Sequence, residues 1–147
     1  MEVFDKTITY QEVPDKICFT IFVAGCKNNC KNCSWKGKFD KISNFGLEDF
    51  EKEIKEKKDY VDVIVFLGGE WLDNFVDYLK VAKRNGFETC LYTGLDDVNN
   101  EIKSNLDYLK VGKYIEERGS LFSRNTNQRF YDLKNNKEIK FYEQQYC

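Results

Sequence analysis

The chain is 147 residues long, 41% hydrophobic and 16% aromatic, with 23 basic and 25 acidic residues and no histidine. That size and composition predict one globular domain, residues 1–147, able to bury roughly 68–70% of the surface its unfolded chain exposes. A formal charge of −2 built from both signs lacks the basic footprint of phosphate-driven nucleic-acid binding, and the missing histidine excludes Ser–His–Asp triads, Cys–His pairs, HExxH zinc sites and imidazole proton shuttles from this chain alone.

Met1-Glu2-Val3-Phe4-Asp5-Lys6 lacks the basic-then-apolar pattern of a signal peptide. The longest apolar stretches, around Ile17–Ala24 and Val61–Leu67, fall far short of the ~20 residues that span a bilayer. The expectation is a cytoplasmic protein with no membrane and no nucleic-acid partner. In that compartment clustered cysteines read as metal ligands or redox groups before they read as disulfides.

In chain order, Ile17-Cys18-Phe19-Thr20-Ile21-Phe22-Val23 is an apolar run of strand length. Leu47, Phe50 and Ile54 recur at helical spacing within the charged segment Leu47–Lys57. Val61–Leu67 is β-branched and nearly continuous, as a strand buried on both faces should be. Leu72, Phe75, Val76, Leu79 and Ala82 mark one face of a helix that stops at Asn85-Gly86. Thr89–Tyr92 reads as a short strand. Val98, Ile102 and Leu106 read as a helix capped by Asp96 or Asp97, and Tyr108–Val111 as another strand. Arg129–Leu133 and Glu138–Tyr142 flank Lys134-Asn135-Asn136-Lys137 as a hairpin. Strand–helix alternation at this spacing predicts βαβ units, too few for a closed barrel of about 250 residues. The fold expected is α/β, a partial (open) β/α barrel with a mostly parallel sheet and a C-terminal hairpin. Ligands bind such sheets at the carboxyl ends of the strands.

Directly after the first of these strands stand Gly25, Cys26, Cys30 and Cys33, a C-x3-C-x2-C run. Three thiolates so close cannot all pair as disulfides, but they can hold three corners of one compact metal centre. A [4Fe–4S] cluster with three cysteine ligands keeps one iron open, whereas electron-transfer clusters fill all four positions. The alternative is zinc, which usually draws on two CxxC-type pairs or on a histidine; here it would need a fourth ligand from Cys18, Cys90 or Cys147. Cys18 and Cys90 lie within strand segments and read as small buried hydrophobes.

This loop resembles the signature of the radical S-adenosylmethionine (SAM) superfamily. Phe66-Leu67-Gly68-Gly69-Glu70 is similar to that superfamily's GGE motif. Asp107–Tyr114 together with Asn127-Gln128-Arg129 resembles the activating proteins of anaerobic (class III) ribonucleoside-triphosphate reductases. The resemblance runs from about Tyr10 to about Asp132. It implies a [4Fe–4S] cluster on Cys26, Cys30 and Cys33 as metal ligands and catalytic centre, with SAM chelating the open iron. Reductive cleavage would yield methionine and a 5′-deoxyadenosyl radical, which takes a hydrogen atom from a glycine of the reductase large subunit. An electron donor such as flavodoxin or ferredoxin is implied as a second partner.

By the same resemblance Gly68, Gly69 and Glu70 would meet the methionine ammonium, Thr93 and Gly94 the ribose or methionine, and Lys110 and Gly112 the carboxylate and the adenine edge. Asn127, Gln128 and Arg129 belong to the pattern without an evident chemical role. Trp35, Phe39 and Trp71 are candidates to pack over the cluster. Two positions depart from the pattern: Asn32 stands where an aromatic or a glycine is usual, and Trp71 follows Glu70 where proline is common. Two other readings stay open, a radical SAM enzyme with a different substrate and a non-catalytic zinc-stabilised binding module.

Overall fold

The computed structural model describes residues 1–25 and 42–143. Its elements are β1 (Glu2–Thr9), β2 (Cys18–Val23), β3 (Ser43–Asn44), α1 (Leu47–Glu56), β4 (Val63–Leu67), α2 (Phe75–Arg84), β5 (Glu88–Tyr92), α3 (Asn100–Ser104), β6 (Tyr108–Val111), β7 (Arg129–Asp132), β8 (Lys137–Ile139) and a closing 3-10 turn, Phe141–Glu143. The strands form one sheet in the order β3-β1-β2-β4-β5-β6-β7-β8.

The expected parallel run is present at the centre. β2, β4, β5 and β6 pair in parallel, with Phe19 beside Ile64, Val65 beside Cys90 and Leu91 beside Leu109. The sheet as a whole is not mostly parallel, however. β1 and β3 extend one side and β7 and β8 the other, all by antiparallel pairing, so four of the seven pairings are antiparallel. For two of these pairings the cause is topological: parallel neighbours need a crossover of a dozen or more residues, and the segments joining β1 to β2 and β7 to β8 are too short to provide one. β7 pairs antiparallel with β6 although the segment between them is long enough for a crossover. Among the described residues β3 and β8 are the two edges and do not pair with each other, so the sheet is open.

Side chains alternate across the sheet and build two cores. Ile64 and Phe66 of β4 point toward α1 and α2 and join Phe19, Phe50, Phe75, Tyr78 and Leu91 in the larger one. There Phe50 meets Tyr78 at 5.2 Å between ring centroids, and Phe66 meets Phe75 at 5.3 Å, both edge to face. Val63, Val65 and Leu67 point the other way, into a smaller core with Val13, Cys18, Cys90, Tyr108, Phe130 and Phe141. β4 is buried on both faces, and that accounts for its unbroken apolar sequence.

Two local expectations change. The α3 cap is Asn99, whose side chain accepts from the Ile102 amide at 2.9 Å. Asp97 is engaged elsewhere, with the Val98 amide and Lys103. The second hairpin strand stops at Ile139, because Phe141 turns back and packs on Phe130 at 4.9 Å.

Candidate functional site

The four parallel strands end side by side, and each runs into a segment that the sequence marked. Gly25 follows β2, Gly68-Gly69-Glu70 follows β4, Thr93-Gly94 follows β5 and Gly112 follows β6. The carboxyl edge of the parallel run therefore gathers Gly68, Gly69, Glu70, Thr93, Gly94, Lys110 and Gly112. Cys26, Cys30 and Cys33, and with them Asn32, Trp35, Phe39 and Cys147, lie outside the described residues.

Glu70 and Thr93 form the hinge of this edge. Thr93 Oγ1 donates to Glu70 Oε1 at 2.6 Å and accepts from the Leu95 amide at 3.1 Å. Glu70 thus braces the β4 turn against the β5 turn. Its second oxygen, Oε2, is buried and has no hydrogen-bond partner among the described residues. A buried carboxylate oxygen without a donor is costly, and it suits a cationic donor on a ligand.

One step along, Lys110 Nζ donates to the carbonyls of Thr93 (3.1 Å) and Gly112 (3.0 Å), tying the ends of β5 and β6 together. Gln128 Nε2 donates to the same Gly112 carbonyl at 3.3 Å, and Asn127 Nδ2 donates to the Lys113 carbonyl at 2.9 Å. The Asn127–Arg129 segment, which carried no chemical role in the sequence, is therefore packed against the end of β6. Asn127 Oδ1 is buried without a partner among the described residues. Arg129 contacts the carbonyls of Thr126 and Gln128 and the Glu138 carboxylate, facing away from this edge toward β8.

At the two glycines after β4 a Cβ would meet aromatic rings of the protein itself. Gly68 has φ +90°, and a Cβ there would lie 2.6 Å from Trp71 Cη2; at Gly69 it would lie 3.0 Å from the Phe75 ring. Aromatic rings already hold that space, so any ligand contact at these two residues falls to their backbone groups. The Trp71 indole also lies against Gly25, with Nε1 3.3 Å from where a Cβ would stand. Trp71 thereby spans the turns after β2 and β4, at the root of the cysteine segment. That placement has no sequence signal beyond the presence of a large ring beside the Gly-Gly pair.

Cys18 and Cys90 are fully buried free thiols, as expected of small hydrophobes in strands. Burial pushes the Cys18 thiol up to about 12, and burial likewise drives the Cys90 thiol well above its ordinary value. Both thiols sit among the apolar side chains of the smaller core. Among the described residues no group of three or more Cys, Asp or Glu side chains is arranged to hold a metal ion, and no helix is long and apolar enough to cross a membrane.

The marked residues thus share one carboxyl edge of an α/β protein, and in the sequence the three cysteines follow Gly25 directly. A family model described as a 4Fe-4S single cluster domain matches residues 16–130, a span that holds Cys26, Cys30 and Cys33 and every edge residue named above. The chain belongs to that family, which supports a [4Fe–4S] cluster and is compatible with redox enzyme activity. Neither a curated protein nor a solved structure gives a significant match.

Proposed function

We propose that the chain is a radical SAM activating enzyme, working in the cytoplasm, that generates a glycyl radical on the large subunit of an anaerobic ribonucleoside-triphosphate reductase. The observation that carries this reading is one of placement. The C-x3-C-x2-C run of a 4Fe-4S family member begins directly after Gly25 at the end of β2, and the neighbouring strand β4 ends in Gly68-Gly69-Glu70. Cys26, Cys30 and Cys33 would hold the cluster, and the Glu70 carboxylate would receive the SAM ammonium. When bound, cluster and SAM supply the redox chemistry: one electron to the sulfonium, and a carbon-centred radical that takes a hydrogen atom from the glycine.

The protein's own residues do the rest. Thr93 fixes the Glu70 carboxylate by its hydroxyl, so the unpartnered oxygen is set before a ligand arrives. Lys110 locks the β5 and β6 ends as a rigid floor. Trp71 and Phe75 fill the space behind the Gly-Gly turn and keep water from it. A sheet left open at its edges, in the manner of a partial barrel, leaves room for a protein loop to reach the site. Flavodoxin or ferredoxin is the proposed electron donor.

The test is anaerobic. The protein is reconstituted with iron and sulfide, reduced and given SAM, and 5′-deoxyadenosine is assayed beside metal content. About four irons per chain with release of 5′-deoxyadenosine, followed by a glycyl radical signal in a co-produced reductase, is the expected result. Stoichiometric zinc, no iron uptake and no cleavage would overturn it in favour of a zinc-stabilised binding domain.

A further inference from the structure

We propose that Trp71 is a positioning residue: its indole, wedged between Gly25 and Gly68, sets the cysteine segment in register with the Glu70 turn. The inference rests on the SAM reading above and deepens it. That reading has SAM held at two points, the open iron on the cysteine segment and the Glu70 carboxylate. A ligand held at two points binds tightly only where the protein has fixed both beforehand.

Strand pairing does not fix them. Phe22 and Leu67 are the last paired residues of β2 and β4. Beyond them the Ala24 amide donates to the Glu2 carbonyl on the β1 side at 2.9 Å, and the Gly68 amide donates to the Tyr92 carbonyl on the β5 side at 3.0 Å. The two ends are thus drawn apart just where one leads into Cys26 and the other into Gly69-Glu70. Trp71 fills that gap. A turn closed by the Leu72 amide on the Gly69 carbonyl, at 3.0 Å, brings the indole back over the strand ends. There Nε1 lies 3.3 Å from the place of a Gly25 Cβ, and Cη2 lies 2.6 Å from the place of a Gly68 Cβ. Both glycines have positive φ, +99° and +90°, so neither takes a side chain without strain, and the ring approaches bare backbone on both sides. One rigid ring thereby ties two turns that lie beyond the last strand pair. The Cys26 Cα stands about 3.8 Å from the Gly25 Cα by covalent geometry, so a shift of the ring is passed directly to the first cysteine. Trp71 stands where proline is common in the pattern the sequence resembles, which makes the wedge a feature of this chain.

The test measures SAM affinity by calorimetry on the full chain, reconstituted anaerobically and left oxidised so that SAM is not cleaved, with the variants compared at matched iron content. Trp71→Ala is expected to weaken SAM binding by about 10-fold or more. Trp71→Phe, whose smaller ring cannot reach both glycines, should fall between alanine and wild type. Ile64→Val, which loosens the larger core near the start of β4, should lower the thermal midpoint and leave SAM affinity unchanged. Wild-type affinity in Trp71→Ala overturns the proposal, and so does wild-type affinity in Trp71→Phe should the alanine variant fail to fold or to load iron. An equal loss of affinity in Ile64→Val also overturns it, because the effect would then be one of general stability. Absence of SAM binding by cluster-loaded wild type overturns the SAM reading itself, and this inference with it.

Discussion

Thr93 shows how one hydroxyl can hold two turns. It donates to Glu70 and accepts from the Leu95 amide while its residue is 2% exposed. Thr93→Val keeps the shape and removes both bonds, leaving the Glu70 carboxylate with neither oxygen paired. The expected loss is about 1–3 kcal/mol, read as a lowered denaturant midpoint, whereas Thr93→Ser should retain most of the stability. An unchanged midpoint in Thr93→Val would show that the bond does not brace the edge. The buried thiols give a second prediction at this scale. Burial holds the Cys18 proton to about pH 12 against an ordinary 9.0, so the folded state keeps a proton that the unfolded chain releases. This contribution to stability is full below about pH 9 and is lost as the pH rises toward 12. At pH 8 iodoacetamide should leave Cys18 and Cys90 unmodified in folded protein and label both after unfolding, by peptide mass spectrometry. Their burial was legible in the sequence because each sits in an apolar strand. The contacts of Asn127 and Gln128 were not, because they reach a backbone carbonyl 14 to 16 residues earlier in the chain, and nothing in local spacing records such a meeting.

At the scale of elements, the strongest segments were the most legible. β4 is apolar throughout because helices cover one of its faces and the Val13–Phe130 core the other. Its Phe66 packs on Phe50, Phe75 and Tyr78. Phe66→Ala should cost about 3–5 kcal/mol, seen as a lowered thermal midpoint. β1 escaped the reading although it is the longest strand. It is mostly half-exposed, and its charged residues work in tertiary contacts, as Lys6 does in pairing with Glu53 across the face of Phe45. An alternation that weak does not stand out from a polar segment. The end of β6 carries its own constraint. Gly112 has φ +102°, and a Cβ would stand 3.1 Å from the Gln128 Cα, a backbone atom that cannot swing aside. Gly112→Ala should therefore destabilise by about 1–3 kcal/mol. It should also weaken nucleoside binding more than Gly46→Ala, whose Cβ meets nothing within 4 Å.

Across the whole molecule, the sequence showed the parallel centre and the C-terminal hairpin, and missed β1, β3 and the antiparallel pairing of β7 with β6. Periodicity marks a strand but not its direction; a short connection settles it, as between β7 and β8, whereas the longer one between β6 and β7 allows either. The same topology separates two sets of cysteines. Cys18 and Cys90 are locked into strands of the sheet with their thiols in its smaller core, whereas the chain leaves the sheet at Gly25, the residue before Cys26. Cys26→Ala, Cys30→Ala and Cys33→Ala should each abolish SAM cleavage and sharply reduce reconstituted iron, with the far-ultraviolet circular dichroism of the sheet retained. Cys90→Ala should keep its iron and its cleavage activity and lose only stability, by removing a small buried group from the core, and Cys147→Ala should change neither. Full activity in any of the first three variants would break the ligand assignment. Loss of iron in Cys90→Ala, with the fold intact, would place a ligand inside the sheet and require the centre to be sought among β2, β4 and β5 instead of at their carboxyl edge.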